Sequence, residues 1–429
     1  MAIVLVKSKE ISPARVAAFN ILQQVENGAF SSVLLAALES NLQPLDRALC
    51  HELVLGVLRW QLFLDRIAEH FSKRRVESLD AAVRIALRLG LYQLRFLTRV
   101  PASAAVNESV SLVRAARLSS ATAFVNAVLR RAVREKEYDP VANISDPLEK
   151  IAVHTSHPAW LIERWVNSFG LEQAEAFARA NNTVPPTAFR VVANRANQSE
   201  ILSKLSAAGA PLESSDIVKG TWRVSGATSL LREMSAAGEI YLQNEASQLV
   251  AEAMEVKRGE RVLDLCAAPG GKTTLIADRA GDAAFIVAAD RSPARMATVI
   301  STSRLHELKS ITPLILDATE QLPFKHESFD RVLVDAPCSG TGTLRATPEI
   351  RWRLAPTVFE TFAAQQKRIL SRAVEVLKPG GRLVYSTCSV EREENEEVIE
   401  SIDSKVLKTI RTWPQREGTD GFFISILEK

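Results

Sequence analysis

Two cysteines and a set of aspartates carry the chemistry this sequence could do. Cys338 stands in VDAPCSGTG (334–342) and Cys388 in VYSTCS (384–389), and each follows an apolar run that reads as a strand. VLDLCAAPGGKTTLI (262–276) adds an acid, Asp264, a loop of small residues and Lys272-Thr273 opening a helix. A strand, a small-residue turn and a helix N-terminus leave backbone N–H groups pointing outward, which suits a polar or anionic ligand. Three further strand-like runs end in an acid, at Asp290, Asp317 and Asp335. One such acid could merely cap a following helix. Four on one rim of a sheet are a cluster that capping does not explain.

The loop is a near-miss to a phosphate-binding loop. G-x-x-x-x-G-K-T would need glycine where Cys266 stands, and Pro269 removes a backbone donor. G-x-G-x-x-G is absent, so a dinucleotide fits poorly too. A ligand with ribose hydroxyls, an adenine amine and a cationic centre would welcome several carboxylates, and S-adenosylmethionine has all three. Asp290 follows Asp264 by about 26 residues, close to the spacing of a ribose-binding acid in such folds, and Asp317 is placed for the adenine amine. A methyl donor beside a thiol defines a narrow reaction class. Carbon 5 of a pyrimidine becomes nucleophilic only after a thiolate adds to carbon 6. Asp335 is placed to assist at N3, and the second cysteine or a water could serve as base. The residues themselves do not rank Cys338 against Cys388 as the attacking thiol. Small buried hydrophobes would be the bland reading of both, and it suits Cys50 on its amphipathic helix better.

The elements that must position these groups alternate from Glu239 onward. Strand-like runs are VLDLC, FIVAAD (285–290), TPLILD (312–317), DRVLVD (330–335), GRLVYST (381–387) and FFISIL (422–427), with helical patterns between several of them. That is a doubly wound, mostly parallel α/β sheet, Rossmann-like, in which ligands sit outside the carboxyl ends of the strands. Residues 1–142 read as an all-helical bundle: Leu53, Val57, Trp60, Leu64 and Phe71 recur at helical spacing, as do Val83, Leu87 and Leu94. Residues 143–238 read as a small α+β linker domain, opened by Asp139-Pro140, Asp146-Pro147 and His157-Pro158 as linker marks, and 239–429 as the catalytic domain. Two short helices, Trp160–Phe169 and Leu171–Asn181, precede a strand-like FRVVAN, a helix near Ile201–Ala208 and a strand around Trp222–Val224. Trp160 and Trp165 are expected in the core rather than stacked on bases.

The 429 residues carry a net charge of +3, unevenly spread. Residues 1–145 hold 19 Lys/Arg against 13 Asp/Glu, a surplus of six, which leaves the remainder three negative. A basic front half hints at nucleic-acid contact. Arg84, Arg88, Arg95 and Arg99 share one sector of a continuous helix, either a solvated face or a phosphate-contacting stripe beside Lys73-Arg74-Arg75 and Arg130-Arg131. No apolar run approaches a membrane span, and the opening MAIVLVK is too short for a secretory signal. Four scattered cysteines give neither a disulfide framework nor a C-x-x-C metal pair, which suits a reducing cytoplasm. His154 and His157 read as surface or capping residues rather than metal ligands.

Two resemblances sharpen these expectations. The succession ARVAAFNILQQVENGAF, DRALCHELVLGVLRW, LRLGLYQLRFL, VPASAAVNESVSLVR and FVNAVLRR resembles the antitermination factor NusB, a helical RNA-binding protein. LDLCAAPGGKTT, the AAD at 288–290, DAPCSGTG and YSTCSVEREENE resemble the RNA cytosine-C5 methyltransferases; with the NusB-like front and YLQNEASQ (241–248) the chain resembles the Sun/RsmB type, which acts on small-subunit ribosomal RNA. The resemblance implies Cys388 as nucleophile, forming an adduct with cytosine carbon 6, Cys338 as the thiol that assists product release, and Asp335 beside them. It also implies S-adenosylmethionine held by Cys266, Ala267, Ala268, Pro269, Gly270, Gly271 and Lys272, with Asp290, Asp317 and Asp335. The partner implied is 16S ribosomal RNA, naked or in early small-subunit particles, for a cytoplasmic, monomeric chain with no metal and no membrane. The ending DGFFISILEK departs slightly, with Ser425 and Ile426 in place of a small residue and lysine. The other classes weighed are an RNA-binding assembly factor without catalysis and a phosphate-loop ATPase with VLVDAP (332–337) as its second motif.

Overall fold

The computed structural model describes residues 11–38 and 42–429; the opening MAIVLVK lies outside them. They form two compact units, one running through residue 183 and including Leu344–Arg353, the other Val184–Thr343 with Leu354–Lys429.

The first unit is helical. Its elements are α1 (Pro13–Glu26), α2 (Ser31–Ala37), α3 (Pro44–Arg59), α4 (Gln61–Ser72), α5 (Ala81–Phe96), α6 (Ala102–Ala115), α7 (Thr122–Arg134), α8 (Pro147–Thr155), α9 (Ala159–Phe169) and α10 (Leu171–Ala180). The apolar positions expected at helical spacing, Leu53, Val57, Leu64, Phe71, Val83 and Leu87, fall in one core with Cys50. Burial and nearby Asp46 push the Cys50 thiol up to about 12, so it packs as a hydrophobe. Of the three prolines expected to mark a linker, Pro140 lies in a turn but Pro147 and Pro158 start helices. Pro147 opens α8 behind Asp146, whose carboxylate accepts from the Leu148 and Glu149 N–H groups, and Pro158 caps α9. A missing N–H costs nothing at a first turn, which is why such prolines permit helices as readily as they break chains.

The arginine sector is a correction. Arg88 is buried, with Nε 2.7 Å from Asp65 Oδ1 and Nη1 2.9 Å from Glu26 Oε1, and Arg84 pairs with Glu26 at 2.9 Å. Arg95 donates to the carbonyls of Lys136 and Tyr138. α5 ends at Phe96, so Arg99 lies beyond it. The core helix turns Arg84 and Arg88 onto acids supplied by α1 and α4, while Arg99 stays exposed. His157 is also buried, not at the surface, and burial pushes its ring well below the usual histidine range; His154 is exposed, near Arg179. Trp165 is buried against Phe177, as expected of a core residue.

The second unit opens with β1 (Thr187–Val191), α11 (Gln198–Ala207), β2 (Leu212–Ser214), β3 (Thr221–Val224), α12 (Thr228–Ala236) and β4 (Ile240–Leu242). These strands form an antiparallel sheet in the order β2-β3-β1-β4. The sequence reading found β1, α11 and β3 but not α12; β2 and β4 escaped it because runs of three residues show no periodicity. Then follow α13 (Glu245–Ala253), β5 (Arg261–Asp264), α14 (Gly271–Arg279), β6 (Phe285–Asp290), α15 (Pro293–Leu305), β7 (Ile311–Ile315), β8 (Phe329–Asp335), α16 (Val358–Val376), β9 (Leu377–Thr387), α17 (Glu396–Ile399), β10 (Lys405–Thr412) and β11 (Phe422–Glu428).

The large sheet runs β10-β11-β9-β8-β5-β6-β7, parallel from β9 to β7 with antiparallel β11 and β10 at one side. Its strands are near-continuous apolar runs because both faces are covered. Val262, Leu333 and Val384 pack into one core with Val250 of α13 and Leu275 of α14. Their neighbours Leu263, Val332, Val334 and Tyr385 pack into another with Ile369 and Leu370 of α16. Strand order reverses at β5, which lies between β6 and β8, and a crevice opens outside the carboxyl ends at such a point.

Candidate active site

The residues singled out in the sequence converge on that crevice. Leaving β5, the chain is pinned by the Leu265 N–H on the Leu333 carbonyl at 3.0 Å and the Ala267 N–H on the Ala289 carbonyl at 2.9 Å. Gly270 then turns at φ 104°, and a β-carbon there would sit 3.2 Å from Val299 Cα. α14 starts at Gly271, so Cys266–Lys272 forms a tight cradle on the sheet edge. Asp290 ends β6 almost fully buried and accepts from the Ser292 N–H at 2.9 Å and the Ala268 N–H at 3.3 Å. It thereby ties two strand exits together. Asp317 lies two residues past the end of β7, exposed; hydrogen bonds from the Thr319 hydroxyl and N–H hold its carboxyl below the usual range.

Asp335 closes β8. Its carboxylate takes Lys272 Nζ at 2.6 Å and the Ser386 hydroxyl at 2.7 Å. Burial works against the Lys272 ammonium, but Asp335, Cys388 and Asp264 together hold its pKa above the ordinary lysine value. Asp264 is buried at the foot of this pair. One oxygen takes the Thr273 hydroxyl at 2.7 Å, and the other, Oδ1, has no partner. Burial, reinforced by Asp335, raises its pKa to about 7.

The two thiols meet, with Cys338 Sγ 3.2 Å from Cys388 Sγ. They line a cavity of about 220 Å³ together with Cys266, Asp290, Asp317 and Asp335. A second cavity of about 190 Å³ shares Cys266, Ala268 and Asp335 and continues to Tyr241, Gln243, Ser247 and Asp264. Cys266 stands apart from the other thiols chemically: burial and the carboxylates of Asp264, Asp335 and Asp290 push it far up, so it is a poor source of thiolate. The sequence reading gave no role to Tyr241, Gln243 or Ser247, although YLQNEASQ was one of its marked stretches. Glu394, buried beneath both thiol loops, was missed altogether. The dense acids of EREENE were the signal that could have drawn attention to it. Among the described residues no cluster of His, Cys, Asp and Glu is arranged to hold a metal ion, and no helix is long and apolar enough to cross a membrane.

A doubly wound sheet with a small-residue cradle, a ring of carboxylates and an unpartnered buried acid fits a ligand carrying hydroxyls, an amine and a positive centre. Residues 251–428 match the family described as 16S rRNA methyltransferase RsmB/F, 12–134 match the NusB family, and 157–229 match the ferredoxin-like domain described for RsmF/B-like methyltransferases. The probable ribosomal RNA small subunit methyltransferase B of Bacillus subtilis is 32% identical over 448 residues, covering 98% of this chain and 99% of that one. The ribosomal RNA small subunit methyltransferase B of Pseudomonas putida is 35% identical, covering 90% and 88%. The crystal structure of PH0851 superposes with a TM-score of 0.84 at 28% identity, covering 99% of this chain and all of that one. The protein is thus an S-adenosylmethionine-dependent methyltransferase with a Rossmann-like catalytic sheet. It belongs to the 16S rRNA methyltransferase RsmB/F family.

Proposed function

We propose that the chain methylates carbon 5 of a cytosine in 16S ribosomal RNA through a covalent adduct between Cys388 and cytosine carbon 6. The observation that carries this reading is the meeting of two thiols 3.2 Å apart in the cavity lined by Asp290, Asp317 and Asp335. A methyltransferase acting on an amine or hydroxyl has no use for a paired thiol nucleophile; a pyrimidine carbon does.

S-adenosylmethionine, when bound, supplies a methyl group on a sulfonium centre. Cys266–Lys272 would hold it with Asp290 toward the ribose hydroxyls and Asp317 toward the adenine amine, Asp335 bordering the reacting end. Cys388 as thiolate adds to carbon 6, while Asp335, in its carboxylic-acid form for this step, donates to the proton-free N3 and draws charge from the ring. Carbon 5 is then enamine-like and accepts the methyl group. Loss of the carbon 5 proton to a base expels the Cys388 thiolate, and Cys338, already in contact with that sulfur, assists this release. Lys272 keeps Asp335 oriented through its 2.6 Å contact.

The chain divides its work among residues 1–142 and 143–238, which bind RNA, and 239–429, which does the chemistry. Each of the three matched stretches falls inside one of these spans. The exposed Lys73, Arg74 and Arg75 at the end of α4 supply phosphate contacts. The names of the relatives support small-subunit ribosomal RNA as substrate, a cytoplasmic site of action follows from that substrate, and one copy of the chain holds every group the reaction uses.

Two variants test the chemistry. Cys388→Ala is expected to abolish methyl transfer while calorimetry still detects S-adenosylmethionine binding; full activity would refute the assignment. Cys338→Ala is expected to accumulate a protein–RNA adduct that survives a denaturing gel, and absence of that adduct would remove Cys338 from the release step. Bisulfite sequencing of ribosomal RNA from cells with and without the protein would locate the cytosine.

A further inference from the structure

Among the buried carboxylates the reaction above does not use, Glu394 lies against both thiols' loops. Glu394 is wholly inaccessible to solvent, and the groups around it belong to the two thiol loops. Its Oε2 accepts from the Ser339 N–H at 2.8 Å and from Gln366 Nε2 at 3.1 Å. Its Oε1 accepts from the Ser389 hydroxyl at 2.8 Å and from the Ser339 hydroxyl. Ser339 follows Cys338 and Ser389 follows Cys388, so one side chain grips the residue after each thiol. The residues before the thiols are held from the same place. Gln366 Nε2 also donates to the Pro337 carbonyl at 2.8 Å. Neighbouring Asn395 accepts from the Thr387 hydroxyl at 2.6 Å and donates to the Ser389 carbonyl at 2.9 Å. A backbone N–H and a side-chain amide cannot reverse as donors, so Oε2 must be an acceptor.

The charge is also one-sided. Cys388 lies within electrostatic reach of the Lys272 ammonium, and Cys338 within that of Glu394; contact with Cys388, burial and then Glu394 all raise the Cys338 thiol. The other ionisable groups around the pair are Asp335 at the end of β8, Asp264 at the end of β5, Cys266 in the cradle, and Tyr385 in β9, whose hydroxyl donates to the Glu394 carbonyl at 2.6 Å.

We propose that Glu394 is a positioning residue for both thiols: its carboxylate clamps the Cys338 and Cys388 loops at their working separation and keeps the proton of the pair on Cys338, leaving Cys388 as the thiolate. This rests on the reading of the two thiols as the reacting groups. It supplies the ranking of the two cysteines that the motifs alone do not, because a negative charge acting on one sulfur and a positive charge acting on the other split two otherwise equivalent thiols.

The test is alkylation of the full-length protein by iodoacetamide across pH, with each cysteine read by peptide mass mapping. It needs neither RNA nor S-adenosylmethionine, so it stands or falls separately from the methylation assay. In the native chain Cys388 is expected to react with a pH midpoint at least about one unit below that of Cys338. The reverse order would overturn the proposal without any variant being made. Glu394→Gln keeps the shape but removes the charge and puts an N–H₂ against fixed donors; the two midpoints are expected to converge. Glu394→Asp keeps the charge but shortens the reach; the order should persist, while kcat falls roughly tenfold with KM for S-adenosylmethionine within about twofold. Unchanged midpoints in Glu394→Gln, or wild-type kcat in both variants, would sink it. If the thiols titrate as expected while no cytosine is methylated, the arrangement stands and the reaction assigned to it does not.

Discussion

Asp264 shows how a single residue links burial to function. Its raised pKa means that the folded chain holds this proton over a pH range where the unfolded chain has already lost it. The contribution of Asp264 to stability therefore falls as pH climbs from about 4 to about 7 and levels off above that. Ligand binding should run the other way. Deprotonated Asp264 lines the second cavity with an unpartnered oxygen, and a positive group placed there gains from its charge. S-adenosylmethionine is expected to bind roughly tenfold tighter at pH 8 than at pH 6, and Asp264→Asn should flatten that slope in calorimetric titrations. Arg88 is the opposite lesson. Truncating it to alanine would strand Asp65 in the helical core, so a loss of ~3–5 kcal/mol in denaturant unfolding is expected. A phosphate-contacting arginine at the surface would show almost no such loss. Arg84, Arg88 and Arg95 lie on one helix, but spacing states only that they share a sector; which acids face it is decided by α1 and α4.

Among elements, the strand exits do the positioning. Gly342 follows the Cys338 loop, and its N–H donates to the Cys388 carbonyl at 2.9 Å while its own carbonyl accepts from the Gly421 N–H at 2.8 Å. A β-carbon at Gly342 would stand 1.9 Å from the Gly421 carbonyl oxygen, a backbone atom that cannot step aside. Gly342→Ala is expected to cost ~1–3 kcal/mol of stability, and to reduce turnover more than S-adenosylmethionine affinity, since it moves the thiol loops and spares the cradle. Equal losses in both would place the strain elsewhere. The parallel strands that carry the site were readable because strands covered on both faces need long apolar runs. β6, Phe285–Asp290, coincides with the run FIVAAD. β10 was missed: it lies at the sheet edge, largely exposed, and KVLKTIRT mixes lysine and arginine into a strand pattern.

At the scale of the whole molecule, the chain is less simply ordered than its motifs suggest. Leu344–Arg353 follows the Cys338 loop in sequence but packs in the helical unit. There Arg351, fully buried, donates to the carbonyls of Ser156, Asn181 and Leu344 and to Asn182 Oδ1, and Glu349 accepts from the Ser31 N–H and hydroxyl at 2.8 Å. Burial lowers the Arg351 pKa to about 9, yet it stays charged near neutrality. Arg351→Ala in the full chain leaves those carbonyls without a donor, and a loss of ~3–5 kcal/mol is expected by calorimetry. The basic surface of the same unit makes a different prediction. Replacing exposed Lys73 and Arg74 with alanine should weaken RNA binding and reduce the slope of log affinity against log salt by about 0.7–0.9 per residue. An unchanged slope would move the RNA path away from α4.

The sequence alone determined the class of the chain. Helical periodicity, apolar strand runs, acids at strand ends and two thiols after strands are local patterns, and local patterns survive in one dimension. They were enough to name residues now found around one crevice. What only the tertiary structure decided concerns distances between residues far apart in the chain. The 3.2 Å between Cys338 and Cys388, the burial of Arg88, the second cavity under Tyr241 and the seat of Glu394 beneath both thiol loops belong to this set. The physical reason is that a side chain's charge, burial and partner are set by whatever packs against it. The groups that meet here are tens of residues apart along the chain, as Arg88 is from Glu26 and Cys338 from Cys388.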